Sequence, residues 1–194
     1  EEIIKELYPE NTVLRAITSV GVNRIQDGRI EFVSEGKITV GYIEEEDSEY
    51  AKVFKKILND AGLDAEFTTN IQGAVFTKTI VNCALNPLTA LFNVKNKEIL
   101  KQSDLKEKAI LIATEAWNVT RKLALELTVK DPIEYMLEVI ERTGENTNSM
   151  LKDILNRQKT EIEFINGKII FYGEKHDVDV SNNKEVYDKI ISLE

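Results

Sequence analysis

The segment FTKTIVNCALNPLTAL at residues 76–91 limits what this chain can fold into more than any other stretch. An α-helix turns by about 100° per residue, so Lys78, Asn82 and Asn86, which are four residues apart, fall on one side of it. Apolar residues fill the other sides. Because a buried amide without a partner costs roughly 1–3 kcal/mol, we expect something to bind these amides.

Pro87 adds a second constraint on the same helix. Proline has no backbone N–H and cannot donate to the carbonyl of Cys83, four residues earlier. We therefore predict that the helix kinks or ends at Pro87 and frees backbone groups beside the polar stripe formed by Lys78, Asn82 and Asn86.

Composition excludes several classes of function. No apolar run approaches the roughly 20 residues that cross a bilayer, and no signal peptide is visible, so we expect a cytoplasmic protein without a membrane partner. The net charge of −9 argues against nucleic acid as a partner. Cys83 and His176 are the sole residues of their types, which excludes internal disulfides, Cys/His zinc sites and Ser-His-Asp catalysis. We predict no metal site, and we expect Cys83 to be a small buried hydrophobe.

The secondary-structure pattern changes near residue 70, which predicts a boundary between residues 1–70 and 71–194. Before it we predict strands within 13–43 with a hairpin turn at Glu35-Gly36, a helix over 48–62 and a short strand over 64–69. After it we predict five helices. The first begins at an Asn70 cap, the second covers about 104–127, and the third begins at Asp131-Pro132. The last two cover about 147–174 and 182–193.

The passage EIEFINGKIIFY allows two interpretations. Its alternation around Asn166-Gly167 is typical of a β-hairpin. Apolar residues at helical spacing from Met150 to Ile169 favour a helix over the same region.

A second polar set, Ser149, Asp153, Arg157 and Glu161, recurs at four-residue steps. For Asp153 and Arg157 we favour surface ion pairing, whereas the roles of Ser149 and Glu161 stay open. The first stripe is likewise either a solvated face or part of a pocket for a ligand with a carbonyl and hydroxyls.

Two motifs together resemble the ketopantoate reductase (2-dehydropantoate 2-reductase) family. They are KTIVNCALNPLTALFNV and, about sixty residues later, SMLKDILNRQKTEIEFINGKI. The resemblance implies an α+β fragment in which residues 1–70 end a Rossmann-type NADP-binding domain. Residues 71–194 are then an all-α domain like the C-terminal domain of 6-phosphogluconate dehydrogenase. It also implies that Asn166-Gly167 lies within or near the end of a helix.

The same resemblance implies NADPH-dependent reduction of 2-dehydropantoate to pantoate, a step of pantothenate and coenzyme A biosynthesis. Lys78 corresponds to the proton donor, and Asn82, Asn86 and Ser149 correspond to residues that hold the substrate. Glu161 corresponds to an active-site glutamate, and it either orients Lys78 or binds the cofactor ribose. An unbroken helix would place it about 18 Å from Ser149. A homodimer is compatible with this assignment.

The chain departs from the family pattern in three places. It has no Gly-x-Gly-x-x-Gly turn for the cofactor pyrophosphate and does not begin with methionine, so we expect a fragment that is inactive alone. In HDVDVSNN, Asp177 replaces a family glycine and Ser181 a family proline, while Asn183 matches. The alternatives are a reductase for another branched 2-keto acid and a noncatalytic helical module for dimerisation or regulation.

Overall fold

The computed structural model describes residues 2–43 and 47–194. In chain order its elements are α1 (Glu2–Leu7), β1 (Leu14–Thr18), β2 (Gly21–Gln26), β3 (Arg29–Ser34), β4 (Ile38–Tyr42), α2 (Ser48–Asp60), β5 (Ala65–Phe67), α3 (Ile71–Phe92), α4 (Asn96–Lys101), α5 (Ser103–Lys122), α6 (Pro132–Arg142), α7 (Ser149–Leu155), α8 (Asn166–Lys175) and α9 (Ser181–Ile191). The fold is therefore α+β. It divides into two compact units, one up to Val75 and the other Phe76–Glu194, and α3 runs from the first into the second.

The N-terminal unit contains a three-stranded sheet in the order β1-β4-β5. β1 pairs antiparallel with β4, and β4 pairs parallel with β5. Parallel neighbours need a crossover connection, and α2 supplies it while packing on both strands. The helix predicted over 48–62 is α2, which ends at Asp60, and Gly62 follows two residues later with a φ of +82° that suits glycine.

A separate antiparallel hairpin, β2–β3, turns at Asp27-Gly28, where Gly28 has a φ of +73°. The prediction of a hairpin turn at Glu35-Gly36 is therefore wrong, because β3 and β4 lie in different sheets. Gly36 serves a different purpose. A Cβ atom at this position would lie 2.4 Å from the carbonyl carbon of Ser19, so the residue allows two backbone segments to approach closely.

In the helical unit, α3 lies in the main apolar cluster together with residues of α4, α5, α6, α8 and α9. Fully burying one aliphatic side chain of this kind contributes about 1.5–3 kcal/mol. The predicted caps are confirmed: Asn70 Oδ1 accepts from Gly73 N at 2.9 Å, and Asp131 Oδ1 accepts from the amides of Ile133 and Glu134. None of the described helices is long and apolar enough to span a membrane.

The helix predicted over 147–174 is in fact two helices. α7 ends at Leu155, Arg157 adopts a φ of +54°, and α8 begins at Asn166. The family-based prediction that Asn166-Gly167 lies near a helix end is confirmed, since Asn166 is the first residue of α8.

A buried carboxylate fixes the start of α9. Glu115 on α5 accepts hydrogen bonds from the backbone amides of Asn182 and Asn183, both at 2.9 Å, and from the side-chain amides of the same two residues at 2.6 and 2.8 Å. A negative charge at a helix N-terminus is favourable because the first amide groups have no partner within the helix.

The two substitutions before α9 fit the backbone they occupy. Asp177 has a φ of +54°, a left-handed conformation that aspartate tolerates better than most residues do. Ser181 is the first residue of α9, a position that proline favours but does not require.

Candidate active site

The polar stripe of Lys78, Asn82 and Asn86 lies along α3 with its burial increasing toward the C-terminus. Lys78 is exposed, Asn82 is half-buried, and Asn86 is only 5% exposed. Within the described residues, neither asparagine side chain makes a hydrogen bond, although both amides lie in a helix whose other sides are packed. Because burial of an unpaired amide is unfavourable, these two side chains are suited to receive a polar ligand.

The prediction at Pro87 is that α3 kinks or ends there, and of these alternatives the structure contradicts an end, because the helix continues to Phe92. The carbonyl that Pro87 leaves without a helical donor is that of Cys83, and it accepts a hydrogen bond from Asn166 Nδ2 at 3.0 Å. A side chain from another helix therefore compensates for the missing backbone donor.

Ser149 begins α7 and is exposed. Asn148 caps this helix, with its Oδ1 atom accepting from Leu151 N at 3.0 Å, and its amide donates to the hydroxyl of Thr89 on α3. That hydroxyl lies 3.0 Å from the carbonyl oxygen of Asn86. Asn148 thus ties the start of α7 to the turn of α3 that carries Asn86. Sequence reasoning missed it, although an asparagine directly before a helical pattern is a cap signal.

Glu161 lies in the segment between α7 and α8, and its own side chain is exposed. Its neighbours anchor it. The backbone amide and hydroxyl of Thr160 both donate to Glu194 at 2.7 Å, and Ile162 is fully buried. Because the helix is broken after Leu155, the 18 Å separation expected from an unbroken helix does not apply to Ser149 and Glu161.

Lys78, Glu161 and Asp153 share one local electrostatic field. Burial lowers the pKa of Lys78, and the charge of Glu161 partly offsets this by favouring the ammonium. Lys78 as a whole is exposed, so solvent still reaches its ammonium. Its pKa is lowered because many protein atoms surround that group and partly desolvate it. Burial, followed by repulsion from Glu161, raises the pKa of Asp153.

These contacts correct the interpretation of Asp153 and Arg157 as a surface ion pair. Neither Asp153 nor Arg157 takes part in an ion pair among the described residues. Asp153 is instead half-buried near Glu161, and Arg157 is exposed at the left-handed turn after α7.

The side chains of Lys78, Asn82, Asn86 and Ser149 are of the types that bind and protonate small oxygen-rich anions. An ammonium can donate a proton, while amides and a hydroxyl orient carbonyl, hydroxyl or carboxylate groups. Cys83 is fully buried, as predicted, and burial raises the pKa of its thiol, which makes it a poor nucleophile. The described residues contain no group of three or more side chains suited to a metal ion.

A cavity of about 580 Å³ lies in the N-terminal unit, lined by residues that include Lys5, Arg15, Tyr42 and Asn70. The described residues that line this cavity do not include Lys78, Asn82, Asn86, Ser149 or Glu161.

Replacing Glu161 by glutamine should lower the pKa of Lys78 further. The carboxylate is the neighbour that favours the charged ammonium, so its removal leaves desolvation without an opposing effect. NMR titration of the lysine side chain in the chain itself measures this. Glu163→Gln is the control, because Glu163 is exposed and pairs with Lys159. A pKa of Lys78 that stays constant or rises in Glu161→Gln contradicts the proximity of the two groups.

The family model for the C-terminal part of ketopantoate reductase PanE/ApbA matches residues 70–194, which is more than half of the chain. The chain belongs to the ketopantoate reductase family.

Relatives named 2-dehydropantoate 2-reductase support this membership. The Archaeoglobus fulgidus protein is 34% identical over 182 residues, covering 94% of this chain and 61% of the relative. The Pyrococcus horikoshii protein is 36% identical over 174 residues, covering 90% of this chain and 57% of the relative. The chain thus spans about three fifths of the length of these relatives.

Solved structures share the fold. The 2-dehydropantoate 2-reductase of Methylococcus capsulatus has a TM-score of 0.90 at 25% identity, covering 100% of this chain and 66% of the other. The ternary structure of D-mandelate dehydrogenase with NADH and anilino(oxo)acetate has a TM-score of 0.92 at 25% identity, covering 99% and 63%. The ketopantoate reductase fold therefore occurs in proteins named for different substrates.

Proposed function

We propose that this chain is the substrate-side part of a longer enzyme that reduces 2-dehydropantoate to pantoate with NADPH. Family membership and the names of the curated relatives support the reaction. The observation that carries the assignment of the site is the electrostatic interaction between Lys78 and Glu161. The two residues lie 83 positions apart in the sequence, yet burial lowers the pKa of Lys78 and the charge of Glu161 acts against that effect by raising it.

The proposal includes the domain organisation. Residues 1–70 form the end of a Rossmann-type NADP-binding domain, a role supported by the parallel β4-α2-β5 crossover. Residues 71–194 form the substrate domain of the 6-phosphogluconate dehydrogenase C-terminal type. We further propose a cytoplasmic enzyme and a homodimer.

Lys78 is the proton donor in this mechanism. Its ammonium delivers a proton to the oxygen of the 2-keto group and stabilises negative charge that develops there. Because the pKa of Lys78 is lowered toward neutral pH, its ammonium gives up a proton more readily and is a better general acid. Glu161 keeps the group protonated by favouring its charge.

The remaining residues hold the substrate. Asn82 and Asn86 offer amides without partners among the described residues, suited to its carboxylate and hydroxyl groups. Ser149 adds a hydroxyl from the first residue of α7, next to the hydrogen bond by which Asn148 links α7 to α3.

The residues present fit one end of the cofactor. An exposed carboxylate such as Glu161 can accept a hydrogen bond from a ribose hydroxyl, whereas this chain has no glycine-rich turn for the pyrophosphate. A bound nicotinamide supplies the hydride that reduces the keto carbon. The pyrophosphate site therefore belongs to the part of the relatives that this chain does not cover.

Steady-state kinetics on a full-length protein that contains this chain test the function. We expect the highest kcat/KM with 2-dehydropantoate and NADPH. The competing assays use NADH and 2-keto acids without the 4-hydroxyl group, including benzoylformate, the oxidised form of mandelate. The structural likeness to D-mandelate dehydrogenase with NADH makes a reductase for another 2-keto acid the second candidate. If the full-length protein reduces no 2-keto acid, the remaining hypothesis is a noncatalytic helical module for dimerisation or regulation.

The 194-residue chain alone should bind NADPH weakly. It lacks the backbone donors of a glycine-rich turn, which supply most of the contacts to the pyrophosphate. Isothermal titration calorimetry should find a Kd above roughly 1 mM, against a far lower value for the full-length protein. Micromolar binding by the chain alone would contradict the proposed location of the cofactor site.

A further inference from the structure

Helix α3 carries a proline at the point where its polar stripe is most deeply buried. Pro87 follows Asn86 and cannot donate to the Cys83 carbonyl. That carbonyl belongs to the turn of α3 between Asn82 and Asn86, so its partner helps to determine the local shape of the helix that carries the polar stripe.

The partner is Asn166, whose side chain is completely buried. Its Nδ2 atom donates one hydrogen bond to Cys83 O at 3.0 Å and another to Asn183 Oδ1 at 3.0 Å. A primary amide has two N–H donors, and both are used here.

Asn183 continues the connection into the rest of the helical unit. It is fully buried, and its Nδ2 atom donates to the carbonyl of Ile112 at 3.0 Å and to the carboxylate of Glu115 at 2.8 Å. The amide of Asn166 is therefore held from α9 and α5 at the same time as it holds α3. All four side-chain N–H groups of Asn166 and Asn183 are hydrogen-bonded, which restricts the motion of both buried amides.

Asn166 is also connected to the segment of Glu161. The amide of Ile165 donates to the carbonyl of Glu161 at 3.1 Å, and the amide of Gly167 donates to that of Ile162 at 3.0 Å. Four residues of tightly turned backbone thus join Glu161 to Asn166. Asn166 therefore contacts α3 through its side chain and ends the segment of backbone that carries Glu161.

We propose that Asn166 is a positioning residue: its amide replaces the backbone donor that Pro87 lacks and thereby fixes the polar stripe of α3 relative to Glu161. It does not touch the substrate. Its effect on turnover rests on the proposed function, whereas its effect on the geometry does not.

The chain offers a matched control in Asn96. This asparagine is 3% exposed, and its Nδ2 atom donates to a carbonyl and to a side-chain oxygen, both of Thr143. The Oδ1 atoms of Asn96 and Asn166 are both buried without a partner among the described residues. The two residues are equivalent as buried amides, but Asn96 links α4 to the end of α6 rather than to the stripe.

The test compares Asn166→Leu and Asn166→Asp with Asn96→Leu and Asn96→Asp. In the chain itself, NMR titration should show a lower pKa of Lys78 in both Asn166 variants, in the direction expected for Glu161→Gln, because the electrostatic effect of Glu161 on Lys78 weakens when the segment that carries Glu161 is displaced. In the full-length enzyme, kcat should fall about 10–100-fold with a smaller change in KM, since misplacing a reacting group by about 1 Å can cost 10²-fold. The Asn96 variants should leave both quantities unchanged within twofold. Asn166→Ser replaces the leucine variant if that variant does not fold.

A second background isolates the route through Cys83. Pro87→Ala restores a backbone N–H that can reach the Cys83 carbonyl. In this background, Asn166→Leu should reduce kcat at least threefold less than it does with Pro87 present. Equal losses in the two backgrounds, or Asn166 variants that behave like the Asn96 variants, overturn the proposal. A full-length protein that reduces no 2-keto acid removes the proposed function, and the titration of Lys78 then decides the geometry.

Discussion

Lys78→Ala should lower kcat of the full-length enzyme by 10²–10⁴-fold while leaving cofactor binding nearly unchanged. A general acid commonly contributes this much, and loss of its charge also removes stabilisation of the developing alkoxide. The measurement varies 2-dehydropantoate at saturating NADPH. Asn82→Ala gives the contrast: it should act mainly through KM if its amide binds substrate and transition state alike.

Lys101→Ala is the control for general effects of losing a lysine. Lys101 is exposed, lies at the end of α4 and pairs with Glu98. Its removal should leave kcat within twofold. If Lys78→Ala is folded and also retains kcat within twofold, Lys78 is not the acid, and the stripe of α3 loses its main chemical role.

Glu115→Ala should lower the free energy of unfolding by at least about 3 kcal/mol. The substitution leaves the buried amides of Asn183 and the first amides of α9 without their acceptor, and each unsatisfied group costs about 1–3 kcal/mol. Urea denaturation of the chain, monitored by circular dichroism, measures the change. Glu115→Gln should cost less, because its side chain keeps one carbonyl acceptor and the same shape.

Glu107→Ala is the matched surface control on α5. Glu107 is exposed on the same helix, so its replacement should change stability by no more than about 0.5 kcal/mol. A Glu115→Ala protein as stable as Glu107→Ala would show that the hydrogen bonds to the carboxylate contribute little beyond those to water.

The helices were predictable where capping chemistry is local. Asn70 and Asp131 each bind amides two or three residues away, so the sequence carries the complete signal. The turn of the first hairpin was missed because two Gly-containing pairs, Asp27-Gly28 and Glu35-Gly36, compete in one stretch. Long-range strand pairing, which periodicity does not contain, decides between them.

The break between α7 and α8 was not predictable from periodicity. Apolar residues keep helical spacing from Met150 to Ile169, yet the chain turns at Arg157 without a glycine or proline to signal it. Ile162 instead packs in a small cluster with Ala90, Met150 and Ile190, and Thr160 binds Glu194. Such tertiary contacts override the local pattern, and they also determine where Glu161 lies.

The motifs identified the residues of the candidate site but not the amides that support it. Lys78, Asn82, Asn86, Ser149 and Glu161 followed from the resemblance. Asn148 and Asn166 were missed because each acts on a segment distant in sequence, Thr89 for Asn148 and Cys83 for Asn166. No spacing rule reports such a contact.

The amide of Asn166 has a consequence for how the protein is made. It reaches its carbonyl partner across 83 positions of sequence, and its own support from Asn183 lies a further 17 positions on. During synthesis, α3 leaves the ribosome long before these residues exist. Until they arrive, the Cys83 carbonyl in the middle of that helix lacks its Asn166 donor, although α5 and α6 already exist and can cover part of the apolar surface of α3. The polar stripe can therefore take its final form only after α8 and α9 have been synthesised, so we expect the Cys83 carbonyl to find its partner late in the folding of the helical unit.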